Sequence, residues 1–355
     1  MAHTLDQREF VERLDPKGMY ALTEAFADQC RKALQLSRDS QIEPLEVAPQ
    51  LAVLTGLGGS AAGGDIVRAL FEAHGSIPFL VNRDYHLPSY INKDCLVFAA
   101  SYSGNTEETL SAYAEAKSKG CRVICVTSGG KLAELAKENG DDLILIPGGQ
   151  PPRTALGFML IPVVDACVRL GLLPAQEFER AFSLLDSNCS EWGVSNAFET
   201  NDAKQLAEFL YGSVSVLYGV GPWQGLVANR WKGQINENAK NMTFANTFPE
   251  LNHNEILGWA KCETQLVPKW TAIYLQDGSE SEKMKARARV TSEVIASAAE
   301  VRTATAKGGS LFEKILSLTY MGDFVSLYLA ALNGVDPENI DAINLLKSEL
   351  AQVPG

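Results

Sequence analysis

Apolar and polar positions alternate in blocks through the first half of the chain. Short apolar runs end in polar or glycine-rich turns, and each turn precedes residues with the apolar spacing of a helix. Such continuous runs are typical of parallel strands covered on both faces. They predict a strand beginning at Leu51, strands at 77–81, 96–100, 122–127 and 142–146, and helices at 66–74, 107–119 and 131–138. The alternation predicts a doubly wound parallel sheet of the α/β class.

The second half repeats the pattern. A strand and glycine turn are predicted at 213–221, a helix at 225–241, strands at 262–266 and 270–275, and helices at 283–297 and 311–332. We interpret this as a weak internal repeat and expect two α/β subdomains. The expected domains are an N-terminal helical element at 1–45, an α/β domain at 46–175, a helical bridge at 176–210, a second α/β domain at 211–335 and a C-terminal helix at 336–355.

The turn after the strand at 96–100 carries three hydroxyl side chains, Ser101, Ser103 and Thr106, with Gly104 among them. At this point of a βαβ unit the first N–H groups of a helix lack intrahelical partners, and the helix dipole favours an anion. The turn is therefore a candidate phosphate cradle. A single hydroxyl here would be interpreted as a helix N-cap, but three of them favour phosphate binding.

The glycine-rich segment 56–65 leaves two interpretations open. Its start, Gly56-Leu-Gly-Gly-Ser-Ala61, fits the fingerprint G-x-G-x-x-A of dinucleotide-binding folds, and Asp84 follows the second strand at the distance of a ribose-binding acid. That interpretation leaves Ser60 and the second hydroxyl-rich turn without a role. In the alternative, both turns line one sugar phosphate, and Gly58 and Gly59 let the backbone approach it closely.

Composition narrows the class of protein. The chain has 355 residues, 46% of them apolar and 21% charged, as in a soluble globular protein with a substantial core. A net charge of −12 argues against a nucleic-acid partner. The seven cysteines are odd in number and scattered, so we expect reduced core residues in a cytoplasmic protein and no metal site. We see no signal segment and no run that approaches a membrane span, and we expect no membrane partner.

Four further residues are candidates for chemistry, and each has an ordinary structural interpretation. Arg153 follows two prolines at a helix start and could be a solvated surface residue. Glu237 lies among polar residues of a predicted helix and could belong to a solvated helix face. His253 lies in a polar loop, and a lone histidine usually has a structural role. Lys347 lies on an amphipathic terminal helix, where a lysine is solvated by default.

Taken together, the motifs resemble a known family. Ser101-Tyr-Ser-Gly-Asn-Thr-Glu-Glu-Thr109 is similar to the phosphate loop of SIS (sugar isomerase) domains. With GLGGSAAGGD, PPRTALG, the K-x-x-x-x-E-N-A-K segment from Lys232, PELNHNE and the terminal I-x-x-L-K helix, the chain resembles the bifunctional phosphoglucose/phosphomannose isomerases over nearly its whole length. The resemblance implies two SIS-type, flavodoxin-like subdomains, a sugar-phosphate substrate, no metal or organic cofactor, and a role in glycolysis and gluconeogenesis.

The resemblance also implies roles for the candidate residues. Glu237 would move the proton between C1 and C2 through a cis-enediolate, and Arg153 would stabilise its charge. His253 and Lys347 would open the sugar ring, with His253 donated by the neighbouring subunit of a homodimer. The phosphate would be bound by Gly59, Ser60, Ser101, Ser103 and Thr106. The alternative is a non-catalytic sugar-phosphate-binding SIS protein, which would keep the serines without needing Glu237.

Overall fold

The computed structural model describes residues 3–350 and 352. Their strands are β1 (Leu51–Thr55), β2 (Phe79–Asn82), β3 (Cys95–Ser101), β4 (Arg122–Thr127), β5 (Asp142–Leu145), β6 (Val214–Gly219), β7 (Thr243–Thr247), β8 (Trp270–Gln276) and β9 (Ala299–Thr305). Their α-helices are α1 (Arg8–Glu12), α2 (Met19–Glu24), α3 (Phe26–Asp39), α4 (Gly58–His74), α5 (Glu107–Ser118), α6 (Gly130–Asn139), α7 (Leu156–Arg169), α8 (Phe178–Trp192), α9 (Asp202–Leu210), α10 (Pro222–Ala239), α11 (Ile256–Trp259), α12 (Glu282–Ile295), α13 (Leu311–Asn333) and α14 (Asp341–Leu350). Short 3₁₀ helices span Thr4–Asp6, Pro152–Thr154, Phe198–Thr200, Glu250–His253 and Cys262–Gln265.

The chain forms two compact units. The five-stranded unit consists of Glu24–Ser187 together with Lys307–Ser317. The four-stranded unit consists of Asn188–Ala306 with the segments before Glu24 and after Ser317. The domain boundaries expected from the sequence stay predictions.

The five-stranded unit contains a wholly parallel sheet in the order β2-β1-β3-β4-β5. Side chains on one face of the sheet, such as Val53, Val97 and Val123, pack with α5 and α6 in a buried cluster that includes Cys121 and Cys125. This confirms the predicted doubly wound α/β fold. The sheet order is the flavodoxin-like one and not the order 3-2-1-4-5-6 of a dinucleotide fold. The interpretation of residues 56–61 and Asp84 as a dinucleotide-binding fold is therefore wrong, because the strand order differs.

The four-stranded unit repeats this topology. Its sheet is parallel throughout, in the order β7-β6-β8-β9. Numbered from its own first strand, that order is 2-1-3-4, which matches the first four strands of the other sheet. The internal repeat expected from the sequence is thus visible as a shared strand order.

The sequence prediction was wrong at the margins of the second sheet. Residues 262–266, predicted as a strand, form the 3₁₀ helix Cys262–Gln265, and Cys262 packs with Trp259 in the buried cluster of this unit. The two edge strands β7 and β9 were missed. Most of their residues are partly or fully exposed, so neither shows the continuous apolar run that marks a central strand.

Helix α13 also departs from expectation, because its 23 residues are long and apolar enough to cross a membrane. Its most apolar window has a mean hydropathy of 1.5, and 94% of that window is buried inside the protein. A core helix passes the same test of length and composition, so the test alone is weak support for a membrane span.

Candidate functional site

The ends of β1 and β3 lie against each other in the five-stranded unit. A Cβ added at Gly56 would lie 2.7 Å from the carbonyl oxygen of Ala100, so only glycine allows this approach. β1 pairs with β2 on one side and β3 on the other, which makes the β1/β3 boundary the point where the direction of strand order reverses. Ligands of open α/β sheets bind at the carboxyl ends of the strands at such a switch point.

The turn after β3 is shaped by its own hydroxyls. The Ser101 side chain is buried, and its Oγ lies 2.9 Å from Oγ1 of Thr106 and accepts the Gly104 N–H at 3.1 Å. The Oγ of exposed Ser103 accepts the Asn105 N–H at 3.2 Å. Thr106 is the N-cap residue of α5 but makes no side-chain capping bond. Ser103 is therefore not an N-cap, and Thr106 holds the N-cap position of α5 while its hydroxyl contacts Ser101.

The glycine-rich segment is helical sooner than predicted, because α4 begins at Gly58 and not near residue 66. Gly58 has a φ of +52°, and Ser60 is buried in the first turn. A Cβ at Gly59 would lie 2.9 Å from the Pro152 carbonyl oxygen. Because residue 59 has no side chain, the backbone of the 3₁₀ helix Pro152–Thr154 can pack directly against it.

Arg153 is brought to the same place. Its Cα would lie 3.8 Å from a Cβ at Gly59, next to the first turn of α4. Only 5% of the residue is exposed, so the interpretation as a solvated surface residue is wrong. A guanidinium buried to this degree needs hydrogen-bonding or ionic partners.

Tyr102 links these segments and was missed by the sequence analysis. Its hydroxyl accepts the Gln150 N–H at 3.3 Å, and its carbonyl accepts from the Ser128 hydroxyl at 2.7 Å. It thereby ties the turn after β3 to the turn that precedes Arg153. The available signal was an aromatic residue inside a hydroxyl-rich turn.

In the four-stranded unit, Glu237 is half-buried in the last turn of α10. Its helix is held by polar contacts to α13. Arg230 and Gln234 donate to Asp323 at 3.1 and 2.8 Å, and the Asn238 amide donates to Ser326 Oγ at 2.9 Å. Burial raises the pKa of Asp323, and the charge of Arg230 opposes that shift. Glu237 therefore stands on a helix fixed by buried contacts, and the segment is not a freely solvated face.

His253 and Lys347 lie on two other elements of the same unit. His253 is the last residue of the 3₁₀ helix Glu250–His253 and is exposed. Lys347 is exposed on α14, where the leucines at 345 and 346 are also more than half exposed. The structure thus brings Gly59 close to Arg153 and Ser101 to Thr106, and it places Glu237, His253 and Lys347 on three separate elements.

The chain is similar to known proteins over both units. Residues 49–151 match the protein family described as "SIS domain". Residues 199–350 match the family described as "Bacterial phospho-glucose isomerase C-terminal SIS domain". A bifunctional phosphoglucose/phosphomannose isomerase from Caldicellulosiruptor bescii is 38% identical over 92% of this chain and 97% of its own. One from Aquifex aeolicus is 37% identical over 84% of this chain and 89% of its own.

The chain belongs to the bifunctional phosphoglucose/phosphomannose isomerase family. This confirms the resemblance identified from the motifs. The matched relatives are named as enzymes, and the comparisons give no support to a non-catalytic sugar-phosphate binder.

Solved structures support the fold. A hypothetical protein from Thermus thermophilus superposes with a TM-score of 0.73, covering 98% of this chain and 93% of its own at 16% identity. A putative phosphosugar isomerase from Clostridium difficile 630 gives a TM-score of 0.68 over 90% and 95% of the two chains at 13% identity. At such identities the match concerns the fold alone, and it agrees with two parallel-sheet subdomains of the SIS type.

Proposed function

We propose that this isomerase-family protein interconverts glucose 6-phosphate and mannose 6-phosphate with fructose 6-phosphate through a cis-enediolate. The observation that carries the proposal is the convergence of the two sequence-predicted loops at the β1/β3 switch point, in a chain 38% identical to a named bifunctional isomerase. A small-molecule sugar phosphate is the substrate class that fits hydroxyls and helix N-termini at that position.

The phosphate would be held in the five-stranded unit. Ser60, Ser101, Ser103 and Thr106 supply hydroxyls, and the first turns of α4 and α5, including the Gly59 N–H, supply backbone donors. Anchoring a group remote from the reacting carbons orients those carbons without taking part in the chemistry.

The isomerisation itself needs one base and one source of positive charge. Glu237 takes the C1 proton of the ketose and returns it to C2, or takes the C2 proton of the aldose and returns it to C1. Arg153 stabilises the negative charge that develops on the enediolate oxygens, since a guanidinium presents several donors in a fixed plane.

Opening of the sugar ring needs an acid and a base near the ring oxygen and the anomeric hydroxyl. His253 and Lys347 are suited to these roles by chemistry. Both side chains are exposed on their own unit, which is compatible with a homodimer in which His253 acts in the neighbouring subunit's site. We further propose that the protein works in the cytoplasm, as expected from its free cysteines, of which six are buried.

The decisive test is Glu237→Gln. The amide keeps the shape of the side chain but lacks the base, so kcat for fructose 6-phosphate should fall by roughly 100- to 10,000-fold while substrate still binds. Wild-type product formed in deuterated water should carry deuterium at C1 or C2, because a proton resting on a carboxylate can exchange with solvent.

Glu300→Gln is the matched control, because Glu300 is an exposed glutamate of β9 paired with Arg302 and should leave kcat unchanged. Near wild-type turnover of both sugar phosphates by Glu237→Gln would contradict the assignment of the base. If light scattering showed a monomer under conditions in which the enzyme is fully active, His253 could not act across an interface.

A further inference from the structure

The segment that carries His253 is fixed on both sides of the histidine. On the N-terminal side, the Asn252 amide donates to Oγ1 of Thr291 at 2.8 Å, and Thr291 is fully buried on α12. On the C-terminal side, Glu255 is the N-cap residue of α11. The histidine is exposed while its neighbours are anchored, which is the arrangement expected of a side chain presented in a defined direction.

Glu255 connects α11 to the ends of two strands. Its Oε1 accepts from the Tyr218 hydroxyl at the end of β6, and its Oε2 accepts from the Asn246 amide on β7 at 2.5 Å. The Tyr218 hydroxyl in turn accepts the indole N–H of Trp259, the last residue of α11, at 2.8 Å. Both ends of α11 are thereby tied to the hydroxyl of Tyr218.

The surroundings explain why these bonds are strong. Tyr218 is fully buried, and Glu255 faces a cavity of about 320 Å³ lined largely by apolar side chains that include Phe244, Trp259 and Trp270. Burial, and then the bond to Glu255, raise the pKa of Tyr218, so that its hydroxyl keeps the proton that it donates. Charge-assisted hydrogen bonds in such a setting are about twice as strong as neutral ones.

We propose that Glu255 is a positioning residue for the isomerase reaction, and that its bonds to Tyr218 and Asn246 fix the direction in which His253 is presented. His253 lies only two residues before Glu255, so anchoring the Glu255 side chain restrains the short stretch of backbone from which the histidine projects. The inference rests on the proposed ring-opening role of His253.

A direct role of Glu255 as the proton-transferring base fits the geometry less well. Both of its carboxylate oxygens are engaged by donors from strand ends of its own unit. A base must reach the proton that it abstracts within hydrogen-bonding distance. The arrangement instead gives Glu255 the role of a bridge between α11 and the sheet.

A double-mutant cycle with His253 tests the proposal. Glu255→Ala should lower kcat for fructose 6-phosphate by roughly 10- to 100-fold, the cost of misplacing a catalytic group by about 1 Å, and should change KM by less than about twofold. In a His253→Ala background the same substitution should lower kcat by less than about twofold, because its effect passes through the histidine. Glu255→Gln and Tyr218→Phe, which keep side-chain volume, should give intermediate losses.

Several outcomes would overturn the proposal. A loss of kcat from Glu255→Ala that persists undiminished in the His253→Ala background means that Glu255 acts independently of the histidine. Wild-type kcat in all three variants, Glu255→Ala, Glu255→Gln and Tyr218→Phe, also refutes it. If His253→Ala is itself fully active while Glu237→Gln is not, the role of His253 and this inference both fail while the isomerase function stands.

The controls separate positioning from loss of fold. Glu300→Gln should match the wild type, and thermal unfolding followed by circular dichroism reports whether each variant is folded at the assay temperature. If Glu255→Ala proves unfolded, the cycle is measured with Glu255→Gln and Tyr218→Phe. The proposal then requires that each of these substitutions lower kcat by less than about twofold in the His253→Ala background.

Discussion

The switch points of the two sheets share a topology and differ in chemistry. In the five-stranded unit, the turns after β1 and β3 present hydroxyls and two helix N-termini, with Ser101 and Thr106 within 2.9 Å of each other. In the four-stranded unit, the equivalent turns after β6 and β8 border a cavity of about 240 Å³. There a carboxylate of the chain itself lies among the lining residues.

That carboxylate belongs to Glu280. It accepts the Asp277 N–H at 2.6 Å and the Gln224 amide at 3.3 Å, close to the N-terminus of α10. Ser281, in the same turn, is the N-cap of α12 and accepts the Met284 N–H at 3.3 Å, so its hydroxyl has the capping role that Thr106 lacks. The repeated fold thus provides the same position twice, and the carboxylate already present at the second one disfavours a phosphate there.

The largest contrast is expected from removing serines at the two places. Ser101→Ala combined with Ser103→Ala should raise KM for fructose 6-phosphate by at least about 100-fold with a much smaller change in kcat, since hydrogen bonds to charged groups are worth about 1.5–3 kcal/mol each. The matched pair Ser279→Ala with Ser281→Ala should leave KM within about twofold. Steady-state kinetics decide, and an unchanged KM in the first pair would refute the phosphate loop.

Glu280→Ala should have the opposite effect to the loss of Ser101 and Ser103, because it should lower stability and leave the kinetics unchanged. Removal of the carboxylate removes its two hydrogen bonds, from the Asp277 N–H and the Gln224 amide, which should cost about 2 kcal/mol of unfolding free energy. KM and kcat should not change, because the proposed phosphate site lies at the β1/β3 switch point. Urea unfolding of the variant and of Ser101→Ala with Ser103→Ala would test this. A catalytic defect in Glu280→Ala at wild-type stability would contradict the comparison.

The sequence was informative for the first switch point because its central strands are continuous apolar runs. β1 and β3 end in turns that concentrate hydroxyls and glycines, a combination typical of phosphate binding, so Ser60, Ser101, Ser103 and Thr106 could be predicted together. The burial of Arg153 could not be predicted, because it follows from a close approach at Gly59 between segments about 90 residues apart.

The second sheet was harder to predict for a different reason. Its edge strands β7 and β9 are partly exposed and lack an apolar run, and its internal carboxylate is one glutamate in a polar loop. Nothing in a local pattern distinguishes Glu280 from a solvated residue. Likewise, the bonds of Glu255 to Tyr218 and Asn246 depend on how strand ends meet, which hydrophobic periodicity does not encode.

A smaller effect is expected from Gly59→Ala. The added Cβ would lie 2.9 Å from the Pro152 carbonyl oxygen, so the turn that carries Arg153 must move. We expect kcat/KM to fall by about 10-fold through misplacement of the guanidinium. Gly63→Ala on the same helix is the control, since its Cβ would meet α7 at an ordinary 3.5 Å. Equal effects of the two substitutions would show that the approach at Gly59 has no special role.

The smallest effect is expected from inorganic phosphate without a sugar. A ligand that binds only the folded state stabilises it by RT ln(1 + [L]/Kd), which is about 1 kcal/mol at about five times Kd. Phosphate should therefore raise the unfolding midpoint of the wild type and of Glu280→Ala, because both keep the hydroxyls after β3. It should not stabilise Ser101→Ala with Ser103→Ala. If phosphate stabilised the Ser101→Ala, Ser103→Ala double variant as much as the wild type, the anion would bind elsewhere on the protein. If phosphate failed to stabilise Glu280→Ala, the anion would bind at the β6/β8 switch point.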